Sequence, residues 1–449
     1  MKPARIILIA IVLTFAGVVG LSAFDFDFGG SVDNSSTPSI TLDPAGPLYA
    51  LDQRDKAALW GDAHFGSSFA LSAQGSYSFT LLVPYLFDVD YLRADWQILP
   101  ILKATAGRFV FSDFTGHVLN HKLDGVMLTA SFPIAVVSAG AGYSGFLLKP
   151  SSVILMTRPD SADQSNSGVF FAAPRLVEKV DILFPNILSR QDLEVTAILQ
   201  QDLRAQGTLI QPGQQQQFAT GLSGGSLSSQ YWGIGLSGAI VSNLYYNSYF
   251  YVNTGSTLSY VVDTASGTGF SWEYAPMLAF LGGIGLRYFN ESLLSSRLEL
   301  QAVYSSGDPD NATYQEGNTA GSSNIFVPIS QDTLGIAFQP QWGNLILIDA
   351  NYSLKPFSRN STVWQNLQIM LKVLNFLRPT TGAISQVGLD PTSTELYLGT
   401  EAELILNFRP LADLGTALSF GCFIPNPGAF SGSAAHPVLA GRIEVSLSF

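Results

Sequence analysis

The sequence predicts an all-β fold, a single transmembrane antiparallel up-and-down β-barrel of about eighteen strands, roughly sixteen to twenty. The chain of 449 residues is 47% hydrophobic with a mean hydropathy of +0.25, yet only 12% of its residues are charged, whereas soluble domains average about 25%. After the first 23 residues, no apolar run reaches the roughly eighteen residues of a membrane helix, and apolar residues alternate with polar ones instead. In hydrocarbon, the remaining way to satisfy every backbone group is a closed barrel.

The N-terminal residues have the pattern of an export signal. Lys2 and Arg5 precede an apolar stretch that ends in small residues. We therefore expect residues 1–23 to be a cleaved signal peptide and residues 24–449 to form the barrel. The mature chain would carry 20 Lys and Arg against 34 Asp and Glu, a net charge of −14, which argues against a nucleic-acid partner. The single cysteine, Cys422, permits no intramolecular disulfide.

Alternation marks the individual strands. In segment 24–28, Phe alternates with Asp, as expected for residues that face lipid and lumen in turn. A hairpin over 395–424 turns at Pro410 and places Leu398 among its lipid-facing residues. Further strands are predicted near 56–66, 69–82, 86–97, 101–111, 124–132, 134–146, 168–183, 192–202, 229–241, 244–252, 278–288, 298–304, 332–341, 344–354, 362–376 and 441–449.

Predicted connections are of two kinds. Short turns are expected at Leu99-Pro100, Phe132-Pro133, Ser242-Asn243, Gly343-Asn344 and Pro410. Long loops are expected over 33–55, 111–123, 147–167, 203–228, 306–331 and 425–437. Membrane barrels have short periplasmic turns and longer extracellular loops, so this asymmetry also favours a barrel. Between residues of about 325 and 380, the sequence does not decide whether the number of strands is even or odd.

The last predicted strand carries apolar residues on one face, Ile443, Val445, Leu447 and Phe449. A final Phe after alternating apolar residues resembles the last strand of bacterial outer-membrane barrels, which implies recognition by the barrel-assembly machinery. Signal, alternation and turn asymmetry make the whole mature chain resemble a porin-like protein of Gram-negative bacteria, which implies an outer-membrane location and contact with its lipid. The segments Gly107–Phe109 and Leu123–Val126 are similar to segments of uncharacterised outer-membrane proteins of spirochaetes, a similarity that transfers no functional residue.

Motifs for catalysis or metal binding are absent from the sequence. His117 and His121 are four residues apart, a metal spacing on a helix, but they lie in a predicted loop. Segment 308–311 is acidic but lacks the fixed Gly and final Glu of a calcium loop. No phosphate-binding glycine loop or nucleophile elbow occurs. We therefore expect no enzyme, no cofactor and no metal.

Charged residues on the lumen face are the candidates for solute selection, because charges that face lipid near the midplane are costly. Alternation assigns to this face Asp25, Asp27, Asp88, Asp90, Arg93, Asp95, Glu194, Asp202, Arg297, Glu299, Glu401, Glu403, Arg442 and Glu444. The acidic excess favours cations in a pore, unless these groups only hydrate or crosslink the interior. Closure of the barrel is expected to bring Arg442 and Glu444 beside Asp25 and Asp27.

The function expected from these features is passive diffusion of small hydrophilic solutes through an outer-membrane channel that prefers cations. One alternative is a plugged barrel for hydrophobic compounds, similar to fatty-acid channels. Those carry an N-terminal plug with an Asn-Pro-Ala motif, and this sequence instead enters a strand directly after the predicted signal. Another alternative is a surface adhesin or antigen, which would need long ordered extracellular loops.

Overall fold

The computed structural model describes residues 24–187, 190–205, 209, 215–217, 225–263, 269–311, 313–315, 318, 321–330, 333–359 and 363–449. The predicted signal peptide, residues 1–23, lies outside these ranges. No helix within them is long and apolar enough to cross a membrane.

One antiparallel sheet of 19 strands accounts for the architecture. The strands are β1 (Phe24–Thr41), β2 (Leu48–Phe65), β3 (Phe69–Thr80), β4 (Leu86–Leu99), β5 (Leu102–Ser112), β6 (Asn120–Ser131), β7 (Val136–Tyr143), β8 (Arg175–Phe184), β9 (Gln191–Asp202), β10 (Gln215–Gln217), β11 (Leu227–Val241), β12 (Leu244–Asp263), β13 (Gly269–Asn290), β14 (Ser296–Ser305), β15 (Leu345–Leu354), β16 (Gln368–Leu377), β17 (Tyr397–Phe408), β18 (Leu414–Pro425) and β19 (Val438–Ser448). The short strand β10 pairs only with an extension of β13, and β1 pairs with both β2 and β19. The result is a closed barrel of 18 strands, which confirms the predicted fold class.

The two ends of the barrel differ in their connections. At the end that holds Phe24 and Phe449, which we call the turn end, most links are short, such as 100–101 and 242–243. At the opposite end, which we call the loop end, the long connections are 113–119, 144–174, 203–226, 306–344, 378–396 and 426–437. Loop 144–174 contains the only α-helix of the described residues, α1 (Arg158–Ser165).

The outer surface is an apolar band. Large hydrophobic side chains are exposed on every second residue of the strands, for example Leu59 at 68%, Trp232 at 51% and Ile284 at 55%. The four predicted assembly residues share this surface: Ile443, Val445, Leu447 and Phe449 are all exposed. Lipid stabilises such a surface, whereas water would not.

Two predicted connections are wrong. Residues 33–55 are not a loop, because β1 and β2 are continuous to Thr41 and from Leu48 and leave only 42–47 as a link. Of the predicted strand 332–341, the described residues 333–341 are not a strand, and Gly343-Asn344 is not a short turn. Both belong to loop 306–344, of which residues 312, 316–317, 319–320 and 331–332 lie outside the described part. The alternation of the described part of 332–341 reflects packing of one side of a loop against the barrel, as shown below.

A β-bulge corrects the prediction for Leu398. Between β16 and β17 the register shifts after Phe376, whose partner is Gly399, while Leu377 pairs with Tyr397. Gly399 has a φ of +153°, and its Cβ would lie 2.5 Å from the carbonyl oxygen of Ile424. The extra residue reverses the facing of the strand above the bulge, so Leu398 is fully buried inside the barrel rather than exposed to lipid.

Candidate functional site

The barrel interior has a covered and an uncovered wall. On strands β8, β9 and β11–β17, the inward residues near the loop end are buried beneath loops, as for Val177, Ile198 and Tyr231 at 0% exposure. On β1, β2, β19 and the turn-end half of β18, most inward side chains stay open, as for Asp52 at 53% and Arg54 at 71%. We call these two surfaces the covered wall and the uncovered wall.

The first covering element is the β5–β6 loop, residues 113–119. Its fold is fixed by the Asp113 carboxylate, which accepts the backbone N–H groups of Val118 at 3.1 Å and Leu119 at 2.7 Å. The hydroxyl of Tyr251, on β12 across the lumen, donates to the same carboxylate at 2.7 Å. These contacts hold the loop inside the barrel rather than above it.

The second covering element is the β14–β15 loop, residues 306–344. Asp308 organises its first turn by accepting the side-chain amide of Asn318 at 2.7 Å and the backbone N–H of Asn324 at 2.9 Å. The acidic segment 308–311 thus serves loop structure. Among the described residues, no three His, Cys, Asp or Glu side chains come together in a way that could hold a metal ion.

The two loops contact each other inside the barrel. The backbone N–H of Ile329 donates to the carbonyl of Val118 at 2.9 Å, and the indole N–H of Trp342 donates to Nδ1 of His117 at 3.2 Å. His117 therefore lies in a packed contact between the two loops. We call loops 113–119 and 306–344 together the plug.

Glu401 and Glu403 tie the plug to the barrel wall. The Glu401 carboxylate accepts three successive backbone N–H groups, those of Ile336 and Ala337 at 2.8 Å and of Phe338 at 2.9 Å. Glu403 also accepts the N–H of Ile336, at 3.1 Å. Both glutamates point inward as predicted, but they are nearly fully buried as loop anchors, with exposures of 0% and 3%.

A buried ion cluster fixes the β7–β8 loop, residues 144–174. Asp160 of helix α1 lies 2.7 Å from the Arg175 guanidinium and 2.6 Å from that of Arg204, and Arg175 lies 3.4 Å from Asp202. Burial alone would raise the pKa of Asp160, but the charges of Arg175 and Arg204 outweigh it, so this pKa is lowered. The predicted lumen residue Asp202 is thus a buried member of this cluster, with no side-chain exposure.

Ion pairs within and between strands neutralise most predicted acidic residues near β2–β6. Asp90 pairs with Lys56 at 2.7 Å, Asp88 with Lys122 at 2.6 Å, and Asp95 with Arg93 and Lys103, both at 2.9 Å. Sequence reasoning named only the arginine of these bases, because a cross-strand partner is known only once the register is known. On β14, Glu299 pairs with the predicted Arg297 and, at 2.8 Å, with Arg287 of β13.

Strands β4 and β5 separate towards the loop end, and ion pairs fill the space. Their pairing spans Leu92 to Leu99 on β4 and ends at Arg108 on β5. Arg108 contacts Asp124 of β6 at 2.8 Å and Asp88 of β4 at 3.3 Å. Side-chain contacts thus replace the missing backbone ladder.

Asp25, Asp27, Arg442 and Glu444 do not meet at the closure of the barrel. Phe449 pairs with Gly30, so β1 extends beyond the end of β19, and the partners of Asp25 and Asp27 are His64 and Asp62 of β2. The expected neighbourhood is therefore wrong. Arg442 donates instead to the hydroxyl of Thr37 at 3.3 Å.

Described residues line two cavities inside the barrel. The larger, about 1880 Å³, opens at the turn end beneath the plug and is lined by Arg190, Asp192, Glu194, Tyr249 and Arg287, among others. The smaller, about 430 Å³, lies against the uncovered wall and is lined by residues that include Asp33, Arg54, Lys56 and Glu444. The predicted Glu194 and Glu444 therefore each face a cavity.

Several solved proteins of Pseudomonas aeruginosa share this fold. OccK11 (OpdR) of Pseudomonas aeruginosa aligns with a TM-score of 0.58 and 10% identity, over 95% of this chain and 96% of that one. The outer membrane protein OpdK of the same species aligns with a TM-score of 0.58 and 12% identity, over 95% and 98%. OccK2 (OpdF) of P. aeruginosa, solved with glucuronate, aligns with a TM-score of 0.55 and 12% identity, over 94% and 98%.

The comparisons establish the fold alone. No family model matches the sequence, and no curated protein matches it. The structural likeness confirms a porin-like barrel. Together with the apolar outer band, it supports the predicted outer-membrane location.

Proposed function

We propose that this protein is an outer-membrane channel through which small hydrophilic solutes diffuse along the uncovered wall. The open, polar inner face of β1, β2, β19 and the turn-end half of β18, opposite the wall against which the plug packs, carries this proposal. Arg54 and Asp52 are exposed there, whereas the plug packs against the covered wall. A plugged barrel for hydrophobic compounds would instead need an apolar path, and the uncovered wall is charged.

Cation preference is the finer part of the proposal. On β1, β2, β18 and β19, the strand positions that alternate with the lipid-facing residues carry more acids than bases. The acids are Asp25, Asp27, Asp33, Asp52, Asp62 and Glu444, and the bases are Arg54, Lys56 and Arg442. Six carboxylates against three permanent cations raise the local concentration of cations. The acidic residues near β4–β6 are paired with bases, so they contribute little to the preference for cations.

Passage of small organic acids is a second candidate. OccK2 was solved with glucuronate, a carboxylate sugar. On the uncovered wall, Arg54 donates to Asp52 through Nε and Nη2 at 3.0 Å, and the other edge of its exposed guanidinium can bind a carboxylate in bidentate geometry. Arg54→Gln should abolish any block of current by glucuronate, while leaving block by neutral sugars unchanged.

The test is single-channel recording of refolded residues 24–449 in planar bilayers. Stable conductance steps with a reversal potential that favours cations in a salt gradient would support both parts of the proposal. Glu444→Gln should shift that potential towards zero, whereas Asp349→Asn on the covered wall should not. Folded protein that shows no conductance would overturn the channel, and conductance without charge preference would overturn only the cation preference.

A further inference from the structure

Four polar side chains form an island on the outer face of β1 and β2. Asn34 donates to Oδ1 of Asp55 at 2.5 Å, and Gln53 donates to the same oxygen at 3.0 Å. Ser36 donates to the side-chain oxygen of Gln53 at 2.5 Å. We call these four residues the polar island.

The island faces outward. Residues at even positions of β1 share a face with Phe28 and Val32, which are 78% and 49% exposed, and the partners of Asn34 and Ser36 on β2 share a face with Leu59. The alternate face points inward, since Lys56 there reaches Asp90 inside the barrel. Asn34, Ser36, Gln53 and Asp55 therefore lie on the face that meets lipid.

Apolar residues surround the island on this face. Across the closure of the barrel, Asn34 pairs with Val445 and Ser36 with Ile443, both exposed to lipid. Along β2, the exposed Leu51 and Leu59 lie on either side of Gln53 and Asp55. The island is thus inside the apolar band and not at either rim, where water could solvate it.

Lipid alone leaves this island unsatisfied. Both hydrogen bonds to Asp55 end on Oδ1, and no side chain or backbone group of the described residues is seen to donate to Oδ2. Asn34 and Gln53 also each keep a second amide hydrogen. A carboxylate oxygen in hydrocarbon without a donor is costly. The polar island thus offers both an acceptor and donors to a partner inside the membrane.

We propose that the polar island is the contact with a second copy of this chain in a two-fold dimer. Copies inserted in the same direction are related by an axis along the membrane normal, so each level of one barrel meets the same level of the other. Asn34 and Asp55 are direct partners on neighbouring strands and lie at nearly the same level. An axis between β1 and β2 therefore places Asn34 of one copy opposite Asp55 of the other, and Ser36 opposite Gln53.

Such a contact gives the unpaired donors and acceptor of the polar island hydrogen-bond partners from the island of the second copy. The free amide hydrogens of Asn34 and Gln53 in one barrel can reach Oδ2 of Asp55 in the other, twice per dimer by symmetry. The exposed Phe28, Val32 and Leu59 would form an apolar margin around these bonds. A polar contact enclosed by an apolar margin is protected from water, as in other stable interfaces.

The experiment measures the mass of the full mature chain in lipid nanodiscs by mass photometry. Wild type is expected to be a dimer and Asn34→Leu/Asp55→Leu a monomer, with the same conductance per barrel and the same resistance of the folded barrel to unfolding in detergent. Leu300→Asn, on the outer face of β14, is the matched control and should not change the mass. A wild-type monomer, or a double variant that remains dimeric, would overturn the proposal.

Crosslinking provides a second readout that does not depend on removing the island. In a Cys422→Ser background, Ser36→Cys should give a covalent dimer with a short bismaleimide, whereas Ile348→Cys on the outer face of β15 should give none. Equal crosslinking at both positions would indicate random collision and overturn the two-fold contact.

Discussion

The Glu401 carboxylate on β17 accepts the backbone N–H of Ala337 at 2.8 Å, and the same carboxylate accepts the N–H groups of Ile336 and Phe338. Three successive amides around one carboxylate form an anion-binding nest in which the anion belongs to the barrel wall. The ring of Phe338 stacks on Phe423 of β18 with 4.2 Å between centroids. The wall thus holds this part of the plug both by charge and by packing.

Removal of the Glu401 carboxylate should release this part of the plug. Glu401→Ala leaves the N–H groups of Ala337 and Phe338 without an acceptor, while that of Ile336 keeps Glu403, and we expect a cost of about 2–4 kcal/mol of local stability. Residues 333–342 should then exchange their amide hydrogens faster, and single-channel conductance should rise. Glu444→Ala, an inward glutamate with no loop contact among the described residues, is the control. Unchanged exchange in 333–342 would contradict the assigned role of Glu401.

Acid should loosen the β7–β8 loop through Asp160. Its pKa in the folded protein lies below the ordinary value of 3.8 because Arg175 and Arg204 outweigh the effect of burial. A carboxyl with a lowered folded pKa contributes stability that is complete above pH 3.8 and is lost as the pH falls through the lower folded pKa. Proteolysis of loop 144–174 should therefore accelerate only below about pH 4.

The control for this pH dependence is Asp160→Asn. This variant should show fast proteolysis of loop 144–174 at neutral pH, with little further change in acid. If wild type and variant respond identically to acid, another carboxyl controls the loop.

The Arg108 guanidinium should be essential where β4 and β5 separate. Arg108 contacts both Asp88 and Asp124, and its side chain is only 13% exposed. Arg108→Ala removes the ion pair with Asp124 and leaves Asp88 with Lys122 alone, and it should lower the free energy of unfolding by about 3–5 kcal/mol. Arg54→Ala, which removes an exposed base on β2, should cost about 0–1 kcal/mol. Denaturant unfolding in lipid vesicles measures both, and equal losses would contradict the structural role of Arg108.

The wall was predictable from the sequence, and the interior was not. Alternation as in Phe24–Phe28 reflects lipid on one side of each strand, and this rule is local. The described residues of 332–341 alternate for a different reason, because one side of that loop packs against the wall, and no local pattern separates the two causes. Asn34 and Asp55 likewise interrupt the outer apolar pattern of β1 and β2. Because of this interruption, the sequence predicted a loop over 33–55 where two regular strands lie.

The role of a candidate site residue could not be predicted where that role depends on partners distant in sequence. The inward facing of Glu401 and Glu403 followed from strand period, but their anchoring role required the path of loop 306–344. Pairing of Asp90 with Lys56 required the register across β2–β4, together with a bulge on β4. Alternation therefore assigns a face to a charge but does not show whether that charge is free to act on a solute.

The last residue, Phe449, should matter more for assembly than for stability of the finished barrel. Its N–H donates to Gly30 at 3.0 Å and its carbonyl accepts from Gly30 at 2.9 Å, while its ring, 71% exposed, lies over the same glycine. Deletion of Phe449 removes two hydrogen bonds at the edge of a long β1–β19 ladder, a loss of about 1–3 kcal/mol. Barrels refolded in vitro should remain closed and unfold only slightly more easily.

Assembly by the cellular machinery is expected to respond differently to the deletion. The last strand resembles that of other outer-membrane barrels, which implies that the machinery recognises its final aromatic residue before the barrel closes. Folding rates in vesicles with and without purified assembly machinery measure the difference. The deletion should remove most of the acceleration by the machinery, whereas Phe28→Ala, an outward aromatic on β1, should retain it. Equal acceleration of wild type and deletion variant would show that Phe449 serves only the closure of the barrel.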